Sequence, residues 1–262
     1  MTVAERRAAL EGVAAEVRAC TRCRLHETRT HAVPGEGDPD TEVMFVGEGP
    51  GMHEDREGRP FVGRAGGLLV GLLGHIGWRR DDVFITNVVK CRPPGNRDPE
   101  PDEIAACAPY LRRQLEALDP SVVTTLGRFS MATFMPGVRI TQAHGTTRQA
   151  DPATGARDAT VFAMYHPAYA LRNPAVERES YEDIERLPRI LVDARERRAS
   201  AGPADPVAAA PTTVPAPQAT MAMPAATMPA PAAAPDLATH HATPSTSDLV
   251  GDAVESDQLT LF

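Results

Sequence analysis

The fold is indicated first by residues 83–89, which read VFITNVV. This run is apolar on both faces of a strand, which is typical of a strand in the middle of a parallel sheet. Three further runs have the same character, at residues 42–47, 121–126 and 160–165. Helical stretches separate the four runs. The sequence therefore predicts an α/β fold, a three-layer α/β/α sandwich around a mainly parallel four-stranded central sheet.

Helices are predicted on both sides of these strands. The predicted helices are residues 3–19, 63–76 and 98–118, a short helix from Arg128, and a closing helix at residues 180–198. The third carries Glu100, Asp102 and Glu103 in its first turn, where carboxylates face the positive end of the helix dipole.

The composition changes abruptly near residue 200. Residues 201–262 contain neither lysine nor arginine and are rich in proline and alanine. Such a segment cannot bury enough apolar surface to offset its chain entropy, so a disordered tail is predicted. We expect one domain at residues 1–200, a Pro/Ala-rich linker at 201–256 and a short terminal peptide at 257–262.

The net charge of −8 comes mostly from this tail, which holds six acids and leaves about −2 for the first 200 residues. A near-neutral domain can still bind nucleic acid where its charges are segregated. No stretch is apolar enough to span a membrane, and the N-terminus lacks the apolar core of a signal peptide. An intracellular, cytoplasmic location is therefore expected.

The chain contains four cysteines, Cys20, Cys23, Cys91 and Cys107. They combine one local C-x-x-C pair with two distant residues, which is typical of a folded metal site. Four thiolates suit a [4Fe–4S] cluster or a structural zinc ion, and the spacing alone does not choose between them. A redox dithiol or simple burial are the alternatives, while a reducing compartment disfavours disulfides.

Polar residues stand at the ends of three predicted strands. Glu48 follows the first strand, Asn87 lies near the end of the second, and His166 follows the fourth. Ligands bind beyond the carboxyl ends of parallel strands, so these groups should converge on one edge of the sheet. Taken singly, each has a simpler explanation, namely a solvated acid in a turn, a local backbone cap and a structural histidine.

The segment after the first strand reads GEGPGMHED from Gly47 to Asp55. It does not suit a phosphate, because Glu48 would repel the anion and Pro50 removes a backbone donor. The glycines would instead let a flat ligand approach the backbone, unless they only form a tight turn. Phe61 follows among glycines and arginines, where it could stack on a base or serve as a core aromatic.

These segments occur in order and resemble a known family. They are the Glu48 loop, residues 58–66, residues 87–97 and residues 166–169, together with the four cysteines. Over roughly residues 15–195 the chain resembles the family 4 uracil-DNA glycosylases, the iron–sulfur branch of that superfamily. The resemblance implies a uracil-DNA glycosylase-like fold and a monomer that flips uracil out of single- or double-stranded DNA. It would hydrolyse the N-glycosidic bond and leave an abasic site for base excision repair.

The resemblance also implies roles for individual residues. Glu48 would position or activate the attacking water, or stabilise the sugar cation, and His166 would donate to the uracil oxygen where negative charge develops. The uracil site would include Gly49 against the base, Glu54 supporting the water site, Phe61 stacking on uracil and Asn87 bonding its edge. The DNA contacts would be Arg64, Asn96, Leu171 and Arg172. The four cysteines would hold a [4Fe–4S] cluster that shapes the fold without redox turnover, zinc being the less favoured occupant.

The sequence departs from the family pattern at Met52 and His53, where the family usually has acids. The related covalent uracil-trapping branch carries a reactive histidine after the second strand. Residues 91–96 read CRPPGN and contain no histidine, which argues against that branch. A catalytically silent iron–sulfur DNA-binding adaptor is the other alternative, and the intact set of Glu48, Asn87 and His166 argues against it.

The last six residues, 257–262, read DQLTLF. They are similar to the Q-L-x-L-F peptide by which bacterial DNA enzymes dock on the sliding clamp. Gln258 would be the polar anchor, and an apolar groove would take Leu259, Leu261 and Phe262. A chance apolar terminus is the alternative, although a position at the end of a tether favours docking.

Overall fold

The computed structural model describes residues 1–201. The linker predicted at residues 201–256, apart from its first residue, and the peptide predicted at 257–262 lie outside the described residues. Within the described part, none of the helices combines the length and the apolar character needed to cross a bilayer.

A six-stranded sheet forms the centre of the domain. Its strands are β1 (Glu36–Gly37), β2 (Val43–Gly47), β3 (Phe84–Asn87), β4 (Val122–Leu126), β5 (Thr147–Gln149) and β6 (Thr160–Met164). The order across the sheet is β1-β3-β2-β4-β6-β5, and the four central strands are parallel. The predicted parallel centre is thus confirmed. The antiparallel edge strands β1 and β5 escape prediction because they are short and largely exposed, without an apolar run.

Helices pack on both faces of the sheet. They are α1 (Val3–Arg18), α2 (Met52–Glu57), α3 (Arg64–His75), α4 (Pro101–Leu118), α5 (Arg128–Phe134), α6 (Ile140–Ala143), α7 (Pro167–Ala170), α8 (Pro174–Ile184) and α9 (Leu187–Ala201). The single closing helix predicted at residues 180–198 is wrong, since this region holds α8 and α9. Pro188 lies in the first turn of α9, where its missing N–H is tolerated, but it could not have continued α8.

The two cores follow from the alternation of side chains along each strand. On β2, Met44 and Val46 pack with α1 and α4, whereas Val43 and Phe45 pack with α3 and α9. Every residue of the four parallel strands is buried. The three-layer α/β/α sandwich predicted from the sequence is therefore confirmed.

The register of the parallel strands aligns their carboxyl ends. Gly47 at the end of β2 pairs with Asn87 at the end of β3, and Leu126 at the end of β4 pairs with Met164 at the end of β6. The residues that follow these ends, including Glu48 and His166, therefore lie along one edge of the sheet.

Candidate active site

Asn87 and Phe61 approach each other over Gly47. A Cβ atom at Gly47 would lie 2.4 Å from Asn87 Oδ1 and 2.6 Å from Phe61 Cζ, so only glycine fits there. Phe61 also stacks on the His166 ring, with 5.8 Å between the ring centroids and 29° between the planes. The fold thus brings Asn87, Phe61 and His166 together at the carboxyl edge of the sheet.

The Asn87 side chain is almost completely buried, with 1% of its surface exposed. Its Oδ1 atom has no hydrogen-bond partner among the described residues. A buried carbonyl oxygen without a partner costs about 1–3 kcal/mol, so such atoms are uncommon unless a ligand completes them. Oδ1 therefore does not cap the local backbone, and it is placed to accept a hydrogen bond from a ligand N–H.

His166 presents a neutral imidazole. Its Nδ1 atom accepts the N–H of Ala168 at 3.1 Å and caps the start of α7. Burial lowers the pKa of His166 to about 4, with a smaller lowering by Arg172 that the Glu54 charge opposes. Because Nδ1 accepts, the proton of the neutral ring is on Nε2, which is left as a donor.

Glu48 has an unusually basic carboxylate. Burial raises its pKa to about 7, and the nearby Asp98 charge adds to this effect. Arg128 acts in the opposite direction but is ion-paired with Asp98. The main chain of Glu48 is fixed by Val89, whose N–H donates to the Glu48 carbonyl oxygen at 3.1 Å. A carboxyl group of this kind changes its charge near neutral pH, as a general base requires.

Glu54 fastens the glycine-rich loop to the Phe61 segment. Its Oε1 accepts N–H groups from Val62 at 3.0 Å and Gly63 at 2.8 Å, and its Oε2 accepts the Gly51 N–H at 3.1 Å. Phe61, one residue before Val62, has a φ of +50°. A left-handed backbone costs an aromatic residue about 1–3 kcal/mol, so the surrounding contacts must maintain it.

Gly49 lies against the end of the β3 segment. A Cβ atom there would be 2.7 Å from Val89 Cγ2, so the chain comes too close for a side chain. The close contact is with the protein's own Val89, and the predicted contact of Gly49 with a base stays a prediction.

The four residues predicted to contact DNA have different environments. Arg64 and Arg172 are exposed, Asn96 is partly exposed with a φ of +54°, and Leu171 packs partly against the core. The sequence motifs gave no role to Tyr169, which lies in α7, is 46% exposed and is three residues before Arg172. An exposed aromatic ring beside an arginine is a common means of contacting unstacked bases.

The four cysteines line one cavity and form no disulfide. Cys20 and Cys23 are partly exposed between α1 and a short 3-10 turn, Cys91 lies after β3, and Cys107 lies on α4. No three His, Cys, Asp or Glu side chains of residues 1–201 are placed to hold a single metal ion. The cavity nevertheless concentrates four soft donors, which fits an iron–sulfur cluster by chemistry.

Hydrogen-bond donors point at three of the four sulfurs. Arg29 Nη1 donates to Cys91 Sγ at 3.0 Å, the Lys90 N–H to Cys107 Sγ at 3.3 Å, and the Arg22 N–H to Cys20 Sγ at 3.5 Å. Burial raises the pKa of Cys107 to about 11. A bound cation would reverse this effect, because metal-coordinated thiols are deprotonated.

Lys90 links the uracil-site candidate Asn87 to the cysteine cavity. Its Nζ donates to the Asn87 carbonyl oxygen at 2.7 Å and to Thr86 Oγ1 and Gln114 Oε1, each at 2.6 Å. Its N–H donates to Cys107, as above. Sequence reasoning gave Lys90 no role, although the only lysine of the chain, placed after an apolar strand, was a usable signal.

Gly127 was also missed. It follows β4 with a φ of +92°, and a Cβ atom there would lie 2.9 Å from His166 Cβ. Its N–H donates to the Met164 carbonyl oxygen at 2.9 Å, which joins the ends of β4 and β6. A glycine directly after an apolar strand run was the available signal.

Comparisons with known proteins agree with this geometry. The model of the uracil DNA glycosylase superfamily matches residues 34–185. The chain is 47% identical over 189 residues to a type-4 uracil-DNA glycosylase of Sulfurisphaera tokodaii, covering 70% of this chain and 85% of the relative. It is 48% identical over 181 residues to a type-4 uracil-DNA glycosylase of Thermotoga maritima, covering 68% and 92%.

A more distant similarity extends to another branch. The chain is 36% identical over 151 residues to a type-5 uracil-DNA glycosylase of Pyrobaculum aerophilum, covering 52% of this chain and 65% of that relative. The family match spans the strands and loops that carry Glu48, Asn87 and His166. The chain belongs to the uracil-DNA glycosylase superfamily, within which it shares 47–48% identity with the two type-4 relatives named above.

Proposed function

We propose that this protein is a uracil-DNA glycosylase that removes uracil from DNA in base excision repair. The observation that carries the proposal is the unpartnered Oδ1 of Asn87 beside the stacked rings of Phe61 and His166. The type-4 relatives named above support the same activity.

Recognition of the base would use three groups. The face of Phe61 stacks on the extruded base, since a flipped nucleotide loses its own stacking partners. Asn87 Oδ1 accepts the N3–H of uracil, and the Asn87 amide N–H donates to a carbonyl oxygen next to N3. Gly47 lets Asn87 and Phe61 lie close together, because a Cβ atom there would clash with both.

Bond cleavage would rely on Glu48 and His166. As the N-glycosidic bond breaks, positive charge develops on the sugar and negative charge on the uracil oxygen. Ionised Glu48 stabilises the sugar cation and accepts a proton from the water that adds to C1′, while Nε2–H of His166 donates to the uracil oxygen. Uracil leaves as an anion that is hydrogen-bonded to His166 and then takes a proton from solvent, and Glu48 returns to solvent the proton it accepted, so the products are free uracil and an abasic sugar.

The alternatives considered from the sequence gain no support. A silent adaptor would have no need of a buried acceptor beside a strained aromatic residue and a neutral histidine. The reactive histidine of the covalent uracil-trapping branch is absent from residues 91–96. Hydrolytic excision of uracil is therefore better supported than either alternative.

The activity is tested with end-labelled oligonucleotides that carry one uracil, single- and double-stranded. We expect a strand cut that appears only after alkali, as for a monofunctional glycosylase. Glu48→Ala and His166→Ala should slow excision far more than they weaken DNA binding. An uncut but bound oligonucleotide would favour the adaptor, a protein–DNA adduct would favour the trapping branch, and equal losses of excision and binding would refute the two roles.

We infer that the cysteine cavity holds a [4Fe–4S] cluster through Cys20, Cys23, Cys91 and Cys107. A tetrahedral zinc site would bring its sulfurs within about 4 Å of one another, and the described side chains do not converge on one ion. A cluster places its own irons and sulfides between the four cysteines, so it does not require their sulfurs to meet at one ion. When bound, the cluster would link the end of α1, helix α4 and the segment that follows β3.

The test of this assignment is spectroscopic. Protein purified without oxygen should be brown, with broad absorbance near about 400 nm and iron and sulfide in equal amounts. A colourless protein with stoichiometric zinc would contradict the cluster. Cys107→Ala, which removes one donor in the core, should abolish the colour, whereas Arg29→Gln should keep it.

We also propose that the terminal peptide docks on a bacterial sliding clamp through Gln258, Leu259, Leu261 and Phe262. This proposal rests on sequence alone, because these residues lie outside the described part. Clamp pull-down with the full chain and with a chain lacking residues 258–262 tests it, and equal capture would refute it.

We further propose that four residues contact DNA, namely Arg64, Asn96, Leu171 and Arg172. Arg64→Gln and Arg172→Gln should weaken DNA binding and reduce its salt dependence.

A further inference from the structure

We propose that Arg80 is a positioning residue for uracil excision, because its guanidinium holds Phe61 in the conformation that stacks on the base. The proposal rests on the function given above and goes beyond the groups that touch substrate. Arg80 lies in a 3-10 turn, Arg80–Asp82, directly before β3. The Arg80 side chain contacts backbone carbonyl groups of the Phe61 segment and not the Phe61 ring.

The contacts of Arg80 converge on two successive carbonyl groups. Its Nη1 donates to the Phe61 carbonyl oxygen at 3.0 Å, and its Nη2 donates to the carbonyl oxygen of Pro60. The side chain is 18% exposed, so water screens these bonds only partly. A planar guanidinium has donors in a fixed fork and can hold both carbonyl groups at once, which a lysine ammonium cannot match in geometry.

Phe61 needs such support because its φ is +50°. On its C-terminal side, Glu54 holds the N–H groups of Val62 and Gly63. The Phe61 carbonyl group itself lies against Gly66, where an added Cβ atom would be 1.8 Å from the carbonyl oxygen. Arg80 completes this enclosure. Without it, the backbone at Phe61 can relax toward an ordinary negative φ and turn the ring away from His166.

Glu36 fixes the orientation of Arg80. Its Oε1 accepts Arg80 Nη2 at 2.8 Å and Nε at 3.2 Å, and Glu36 belongs to β1, which pairs with β3. Arg80 is therefore anchored to the same sheet that carries Asn87. Arg59 bonds the same carboxylate at 2.8 Å but is 55% exposed, and none of its bonds reaches a carbonyl of the Phe61 segment. Arg59 is thus a matched control.

The experiment compares Arg80→Met, Arg80→Lys and Arg59→Met with the parent enzyme in single-turnover excision and DNA binding. Arg80→Met should lower the single-turnover rate about tenfold or more while the Kd for DNA changes less than about twofold, since misplacing a contacting group mainly costs rate. Arg59→Met should stay within about twofold of the parent in both. Arg80→Lys should fall between them with an unchanged thermal midpoint.

A double-mutant cycle separates positioning from general stability. In a Phe61→Leu background, Arg80→Met should change the rate by less than about twofold, because the group it positions is already gone. An equal loss in both backgrounds, or equal effects of Arg80→Met and Arg59→Met, would overturn the proposal. If Arg80→Met does not fold, the same cycle is run with Arg80→Lys. A parent enzyme without uracil excision would refute the proposed function instead.

Discussion

The rings of Phe61 and His166 lie 5.8 Å apart between centroids, at an angle of 29°. A base stacked between two rings needs about 7 Å between them, so this pair does not sandwich a ligand. In the uracil site proposed above, the base would lie against the face of Phe61 that is turned away from His166, and His166 would reach the uracil oxygen from the side. Phe61 would then support the His166 ring on one face and the base on the other.

The first prediction concerns the pH dependence of excision. The pKa of Glu48 is raised to about 7 and that of His166 is lowered to about 4. If ionised Glu48 is required, kcat/KM should fall about tenfold per pH unit below about 7, while neutral His166 imposes no limit above about pH 5. Measured profiles of the parent and Glu48→Gln check this. The variant should be slow and flat, and a flat parent profile between about pH 5 and 8 would contradict the role.

The raised pKa of Glu48 also predicts that the folded protein is less stable at neutral pH than at acidic pH. A carboxyl with a raised pKa binds more protons in the folded than in the unfolded state between its ordinary value of 4.5 and about 7. The free energy of unfolding therefore decreases as the pH rises through this window, by at most about 3 kcal/mol. Glu48→Gln should raise the thermal midpoint relative to the parent at pH 8 but not at pH 4. An equal difference at both pH values would count against a buried, ionisable Glu48.

Lys90 allows a direct test of the buried polar network. It is the only lysine of the chain, its side chain is buried, and its Nζ donates to three oxygens. An amine-reactive reagent should therefore add one label to the folded protein, at the N-terminus, and two after denaturation. Mass spectrometry counts the labels. Lys90→Arg should take one label under both conditions, and rapid double labelling of the folded parent would contradict the burial.

The sequence predicted those parts of the fold that depend on local patterns. Predominantly apolar runs located the four parallel strands, and Asn87 stood out because its polar amide interrupts such a run. The edge strands β1 and β5 could not be found this way, since two or three exposed residues carry no periodicity. The break between α8 and α9 had a signal in Pro188, which the prediction of one helix at residues 180–198 overlooked.

The site could be predicted as a set of residues but not as a geometry. Glu48, Asn87 and His166 were expected at one edge because parallel strands end together. The contact of Arg80 with the Phe61 carbonyl was not foreseeable, because it joins a common surface residue type to backbone atoms 19 residues away. The raised pKa of Glu48 likewise depends on burial and on Asp98, which only the folded chain brings near.

Gly47→Ala should damage the uracil site without unfolding the domain. The added Cβ would lie 2.4 Å from Asn87 Oδ1 and 2.6 Å from Phe61 Cζ, so both groups must move. Overpacking of this kind costs about 1–3 kcal/mol of stability, and the displaced contacts should reduce excision about a hundredfold. Excision and thermal midpoint are measured for this variant and for Gly67→Ala.

Gly67 is the control because it lies in α3 with no atom within 4 Å of an added Cβ. Alanine there should raise stability by up to about 1 kcal/mol through helix propensity and leave excision unchanged. If Gly47→Ala excises uracil as fast as Gly67→Ala, then Asn87 and Phe61 do not form the base-binding wall. The close packing at Gly47 would in that case serve only the join between β2 and β3.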